Sequence, residues 1–275
     1  MQFKLADNVW ELFPQCKENY MTLTKQQLQR FQNALEFIAL SDSSMKQGIG
    51  TEKEKKLHAM LKHYMDPDPS HQEVAVHGYI ADLFDGERIT EIQTGSFAPM
   101  RPKLSALLGE YPITIVHPIP SEKWISWIDP ETGEITKRNK STVTGTFYHA
   151  FRELYQIRPF LHEHNLSIDL LLIDMEEYRM LDGWSKDRKK GSHRLERIPV
   201  RLTDELLLKQ PEDYRSFLPE SLSEPFTSEE FMKAASSRKI RTVSPSAVMR
   251  ILEGQGILDE IGKQGNRILW SIRRD

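Results

Sequence analysis

The chain has 275 residues, a formal net charge of −3, and 39% apolar against 28% charged residues. That length allows one large domain or two ordinary ones with ample chain for a core. The near-balanced charge leaves no global footprint for nucleic acid, so any such footprint must be local. A single cysteine, Cys16, excludes an intramolecular disulfide and a cysteine-rich metal site, and suits a reducing compartment. No apolar run approaches the ~18 residues of a membrane span, and the N-terminus lacks the layout of a signal peptide, so the expected place is the cytoplasm, off the membrane.

In chain order, residues 1–48 form an N-terminal helical segment. Trp10 and Phe13 precede a helical stripe of Leu28, Phe31, Leu35 and Phe37 or Ile38 that reads as a cap on the core. Residues 51–65 predict a helix with Thr51 as N-cap and an apolar face of Leu57, Met60, Leu61 and Tyr64. Glu54 borders that face, and reads equally as a helix N-terminal acid or as a site residue.

The rest of the chain is organised around the stretch from Val74 to Thr94. It predicts a strand ending in Asp82, a tight turn through Asp85 and Gly86, and a second strand carrying Glu91 and Gln93. Period-two alternation puts Ile89, Glu91 and Gln93 on one face, with Asp82 close by at the sheet edge. Two carboxylates and a neutral amide converging in this way suit a hard divalent cation such as Mg²⁺ (or Mn²⁺), which prefers oxygen ligands and keeps several waters.

A short helix near 100–109 carries Arg101 and Lys103, and 112–120 is a buried-strand run. The expected fold class is therefore α/β, a mixed sheet flanked by helices. A hairpin near Glu131–Gly133 returns with Lys137, Arg138 and Lys140, as a solvated arm or as phosphate contacts. Residues 145–161 form an amphipathic helix, 166–181 a buried strand, and 187–197 a basic loop. The segment 197–222 predicts a strand-like tail, a helix and a proline-broken linker. The His162 and His164 pair lacks a recognised zinc-ligand pattern.

Residues 227–275 read as a second, small domain. Thr227 and Glu230 occupy capping-box positions, Ser244 and Pro245 open another helix closed by Gly254, and two strands surround GKQGN. Helix, turn, helix and hairpin resemble a winged helix-turn-helix. From Ser236 to Asp275 there are eight Lys or Arg against four Asp or Glu. Arg250, Lys263 and Arg267 are the candidate nucleic-acid contacts, with Arg273 and Arg274 beside them. Such modules also serve oligomerisation or protein docking.

The order GTEKEKKL, YIAD, ITEIQ, MRPKLSALL, ITIVHPI over residues 50–120 resembles the PD-(D/E)XK nuclease superfamily. That family's core is a helix with a glutamate, a strand ending in Asp, a strand carrying (D/E)-x-K, then helix and strand. The resemblance covers about a quarter of the chain and makes residues 49–218 a nuclease-like core with extensions. It implies metal-dependent hydrolysis of DNA phosphodiester bonds. Asp82, Glu91 and the carbonyl of Ile92 would hold Mg²⁺, and Glu54 would be an outer carboxylate. The family's usual lysine is replaced by Gln93, an amide that orients water but carries no charge; Lys103 is placed to send a cation in its stead, or lies on the surface. The partner implied is DNA, with a homodimer as one way to cut both strands. The alternative is a catalytically inactive nuclease-like protein that binds or regulates DNA; a docking scaffold without nucleic acid is a third reading.

Overall fold

The computed structural model describes residues 23–44, 56–181, 193–235 and 243–274. Thr51, Glu54, Trp10, Phe13, Cys16 and the 187–192 part of the basic loop lie outside these residues.

The fold is α/β. Two helices, α1 (Lys25–Ser44) and α2 (Lys56–Met65), lead into β1 (Gln72–Val76), β2 (Tyr79–Phe84) and β3 (Ile89–Ile92). Then come α3 (Arg101–Leu107), β4 (Ile113–Ile128), β5 (Asn139–Lys140), α4 (Phe151–Leu154), β6 (Leu166–Met180) and β7 (His193–Leu208). The chain closes with α5 (Ser228–Ala234), α6 (Pro245–Gly254), β8 (Leu258–Gln264) and β9 (Arg267–Ile272). The main sheet runs β1-β2-β3-β4-β6-β7 with β5 on β4, and β8-β9 make a separate two-stranded sheet. Strands β1, β2 and β3 meander antiparallel, β3 to β4 and β4 to β6 are parallel, and β7 returns antiparallel.

Alternation along the strands splits the core into two layers. On one face Ile113, Ile115, Ile168 and Leu170 pack with Leu104 of α3 and with Phe151 and Leu154 of α4. On the other, Ile92, Val116, Leu171 and Ile173 meet Phe31 of α1 and Leu57, Met60 and Leu61 of α2. The predicted stripes on both N-terminal helices are therefore core-facing, although Phe37 is exposed and stacks on His63. Phe231, Val248, Ile251, Leu252 and Trp270 belong to the same buried cluster as Phe151, so the C-terminal helices and hairpin close over the α4 side. The Thr227 capping box is formed: its hydroxyl accepts from the Glu230 amide at 3.3 Å, and Glu230 accepts from the Thr227 amide at 2.7 Å.

Several elements differ from expectation. The strand expected to run from Val74 to Asp82 is two strands, because His77 (φ 47°) and Gly78 (φ 82°) adopt left-handed conformations that turn the chain between Val76 and Tyr79. The 145–161 segment is one short α-helix between 3₁₀ turns, with Pro159 and the non-helical Ile157 breaking it. The segment expected to pass from a strand-like tail into a helix stays in β7 as far as Leu208, where Leu206 and Leu208 pair with Leu170 and Ile168. Pairing along a buried strand outweighs the helix preference of a Glu-Leu-Leu-Leu run. Arg194 to Arg197, expected as loop, begin that same strand. Strand β4 continues to Ile128, taking Trp124 and Trp127 into the sheet. Among the described residues no helix is long and apolar enough to cross a membrane.

Candidate active site

The β2–β3 ladder is short. Leu83 pairs with Thr90 and Phe84 with Ile89, and beyond them side chains take over from the backbone. The Asp82 carboxylate accepts the Ile92 amide at 2.7 Å, and Glu91 faces the Asp82 amide at 3.4 Å. Residues one position past a paired couple on adjacent strands keep their side chains within reach of each other, so Asp82 and Glu91 form one carboxylate pair.

Helix α3, opened by Pro102, leans Lys103 across this pair. Its ammonium donates to Glu91 at 2.7 Å and to the Ile80 carbonyl at 2.7 Å. From the other side, α2 brings His58 Nε2 to 3.2 Å from Asp82. Glu91 is 2% exposed, and its environment is split from that of Asp82. Burial pushes the Glu91 carboxyl above its ordinary range, with Lys103 only partly offsetting it. Burial also pushes Asp82 upward, but His58, the Ile92 amide and Lys103 together outweigh it and hold that carboxyl below its ordinary value. Two neighbouring acids thus hold their protons differently.

Gln93 stands just past β3 and does not bond to the carboxylates. Its carbonyl meets His117 Nδ1 at 2.6 Å and its amide donates toward Met100 Sδ at 3.1 Å. His117 is buried edge-on against Phe97, and burial takes its pKa down to about 4. The cation expected near the acids therefore arrives from Lys103, while Gln93 braces the strand end.

Arg250, Lys263 and Arg267 lie on α6, β8 and β9, apart from this centre. Arg250 pairs with Glu253 at 2.7 Å and Glu260 at 3.2 Å, Arg267 pairs with Glu229 at 3.1 Å, and Lys263 is exposed on β8. The two arginines have part of their charge answered within the protein.

A cationic cluster that was not anticipated lies on β4, β6 and β7. Fully buried Glu177 on β6 receives Lys123 at 3.2 Å, Arg197 at 3.3 Å and Arg194 at 3.6 Å, as well as the guanidinium of Arg179 at 2.6 Å. Burial alone would raise its pKa, yet Lys123, Arg179 and Arg194 hold it down at about 2. Four cations share one carboxylate, so the patch is strongly positive. Two indirect links run from it toward the acid pair: Arg197 is near enough to His117 to disfavour its protonation, and the first residue of α2, Lys56, donates its amide to Glu196 while His58 on the same helix reaches Asp82. The sequence carried signals for both additions. His58 stands one helical turn after Glu54, and the basic run continues through Arg197.

A family model described as "Domain of unknown function (DUF8091)" matches residues 55–209, more than half of the chain. That segment holds the carboxylate pair, Lys103, His58 and the Glu177 cluster, and leaves Arg250, Lys263 and Arg267 outside. An "Uncharacterized protein" of Treponema pallidum (strain Nichols) is 31% identical over 144 residues, which cover 52% of this chain and 57% of that protein. The match thus spans little more than half of that relative's length. No solved structure matches.

Proposed function

The chain belongs to the DUF8091 family; on the geometry of its carboxylate pair we propose that it is a metal-dependent nuclease that hydrolyses DNA phosphodiester bonds at Asp82, Glu91 and Lys103. The observation that carries the reading is the meeting of two carboxylates from adjoining strands with a lysine from the following helix, Lys103 at 2.7 Å from Glu91. In support, α2, the β2 and β3 strands that carry Asp82 and Glu91, α3 and the parallel strand β4 come in the order the family resemblance implies, with β1 as an added strand before them.

The donor set fits a cation of the Mg²⁺ type. Asp82 and Glu91 are hard oxygen donors, and among the described residues no third acid or histidine completes a closed metal cluster. Such an ion would keep several waters, as Mg²⁺ and Mn²⁺ do. Asp82 and Glu91 would hold it, with the Ile92 carbonyl as the further oxygen that the family resemblance implies. Once bound, the ion lowers the pKa of a water and stabilises charge on phosphate oxygens.

The chain's own groups do the remaining work. Lys103 brings to the acid pair the positive charge that Gln93 lacks. His58 and the Ile92 amide fix the Asp82 rotamer. Lys123, Arg179, Arg194 and Arg197 offer charge-assisted contacts to backbone phosphates arriving beside the pair. The C-terminal helices and hairpin, with Lys263 exposed, serve as a second DNA contact.

One observation favours a second reading, a DNA-binding protein without catalysis: Glu91 is bonded to Lys103, Asp82 to His58 and Ile92, and the Gln93 amide points to Met100. A DNA panel of duplex, branched and single-stranded substrates with Mg²⁺ or Mn²⁺ separates the two. Asp82→Ala and Glu91→Ala should each lose cleavage while retaining DNA affinity within about threefold. Full cleavage by either variant would remove the assignment, and binding without any wild-type cleavage would favour the second reading.

A further inference from the structure

On the sheet face covered by α1 and α2, a cavity of about 410 Å³ opens beside Arg30, at the edge where β3, β4 and β6 begin. Thr90, Thr114 and Ser167 line it. They are register partners on three successive parallel strands, so their side chains form one row about 4.8 Å apart. None of these three hydroxyls bonds to a described residue. Below the row Asp169 is 3% exposed, and its Oδ1 is buried with no hydrogen-bond partner among the described residues.

A buried carboxyl oxygen without a donor is costly, on the order of 1–3 kcal/mol for an unsatisfied polar group. It calls for an explanation such as a ligand that supplies the donor. Arg88 and Lys209 stand exposed on the same cavity and form no salt bridge with a described residue. The acids on the rim are already engaged: Asp66 holds His71 at 2.7 Å, and Asp85 accepts the amides of its own turn, Glu87 and Arg88.

We propose that this cavity binds a monophosphorylated pentose or hexose. The sugar hydroxyls would donate to Asp169 and bond along the Thr90–Thr114–Ser167 row, and the phosphate would take Arg88 and Lys209. The charge of a phosphate dianion matches the two cations, where a carboxylate carries only one negative charge, and the volume falls within the range of small-molecule sites. The high proton affinity of Asp169, raised to about 8 by burial and by Glu205 nearby, lets it offer either a donor or an acceptor to a hydroxyl. The site lies on the opposite face of the sheet from Glu91 and Lys103, and the proposal does not depend on the nuclease reading.

Calorimetric titration of the full chain with ribose 5-phosphate and glucose 6-phosphate, beside ribose and inorganic phosphate, tests it. At least one sugar phosphate should bind about tenfold or more tighter than either fragment. Thr114→Val should weaken it by about fivefold, and the double variant Arg88→Gln, Lys209→Gln by about tenfold or more. Asp169→Leu should abolish the preference over inorganic phosphate while raising Tm, because the unpartnered carboxyl is then gone. The proposal is overturned if neither sugar phosphate outcompetes inorganic phosphate. Binding unchanged in folded Thr114→Val and in the Arg88, Lys209 double variant would overturn it equally.

Discussion

At the scale of single residues, the proposed chemistry turns on a buried acid and the lysine that reaches it. Glu91 and Lys103 are both largely withdrawn from water, so removing one partner leaves an uncompensated charge or forces a proton shift. Breaking a buried pair of this kind costs about 3–5 kcal/mol. Lys103→Met should therefore lower stability in urea by that order and reduce cleavage by about 10²-fold. Adding Glu91→Gln should recover most of the stability and none of the cleavage. Recovery of cleavage in the double variant would show that the pair is only a structural tie. Asp169 gives a second prediction at this scale. Its carboxyl holds a proton up to about pH 8 in the folded chain, chiefly through burial and then Glu205, with Arg30 and Lys209 opposing. The unfolded chain releases that proton near pH 4. The native state thus binds the extra proton, so this stabilisation is complete below about pH 4 and is lost as pH rises toward 8. Thermal melts between pH 5 and 8 should fall in Tm for the wild type and flatten for Asp169→Asn; an unchanged slope would contradict the assignment.

At the scale of elements, long β4 is the axis to which the rest is fitted. Its register on β6 shifts between Pro120 and Lys123, and there the chain at Gly145 crosses so close that an added Cβ would collide with the Pro120 carbonyl. Gly145→Ala must move backbone, a cost of about 1–3 kcal/mol for overpacking, or more. A Tm within a degree of wild type would contradict a tight crossing there. The elements also show what a sequence can and cannot reveal. The carboxylates, the Asp85-Gly86 turn, α3, β6 and the Thr227 cap follow from period, propensity and spacing, all of them local. The His77-Gly78 turn was hidden because the flanking residues alternate well enough to pass for one strand. Strand β7 was partly hidden because Asp-Glu-Leu-Leu-Leu has helix propensity, and only pairing with β6 overrides it. Lys103 was visible as a cation one element away, but its bond to Glu91 depends on how α3 packs. His58 and the Glu177 cluster depend on approaches between distant elements that no spacing rule records.

At the scale of the whole molecule, the chain is near neutral but its charge is sorted. Arg250 and Arg267 spend charge on Glu253, Glu260 and Glu229, whereas Lys123, Arg179, Arg194 and Arg197 crowd around the single carboxylate of Glu177. If phosphates dock there, DNA affinity should fall steeply with salt through counterion release. A Lys123→Gln, Arg194→Gln variant should lower the salt slope by roughly one to two units while Arg267→Gln changes it less. Equal effects from the two would move the main DNA contact to the C-terminal hairpin.

The central claim is that Asp82, Glu91 and Lys103 form a hydrolytic centre. Its most direct test is a single-turnover assay of supercoiled plasmid with stoichiometric wild-type protein or Glu91→Gln, with Mn²⁺ and with chelator. A hydrolytic centre there predicts nicking by the wild type that requires the metal and vanishes in Glu91→Gln while DNA binding persists. Nicking that survives in folded Glu91→Gln, or no nicking by a wild type that binds both metal and DNA, would contradict it.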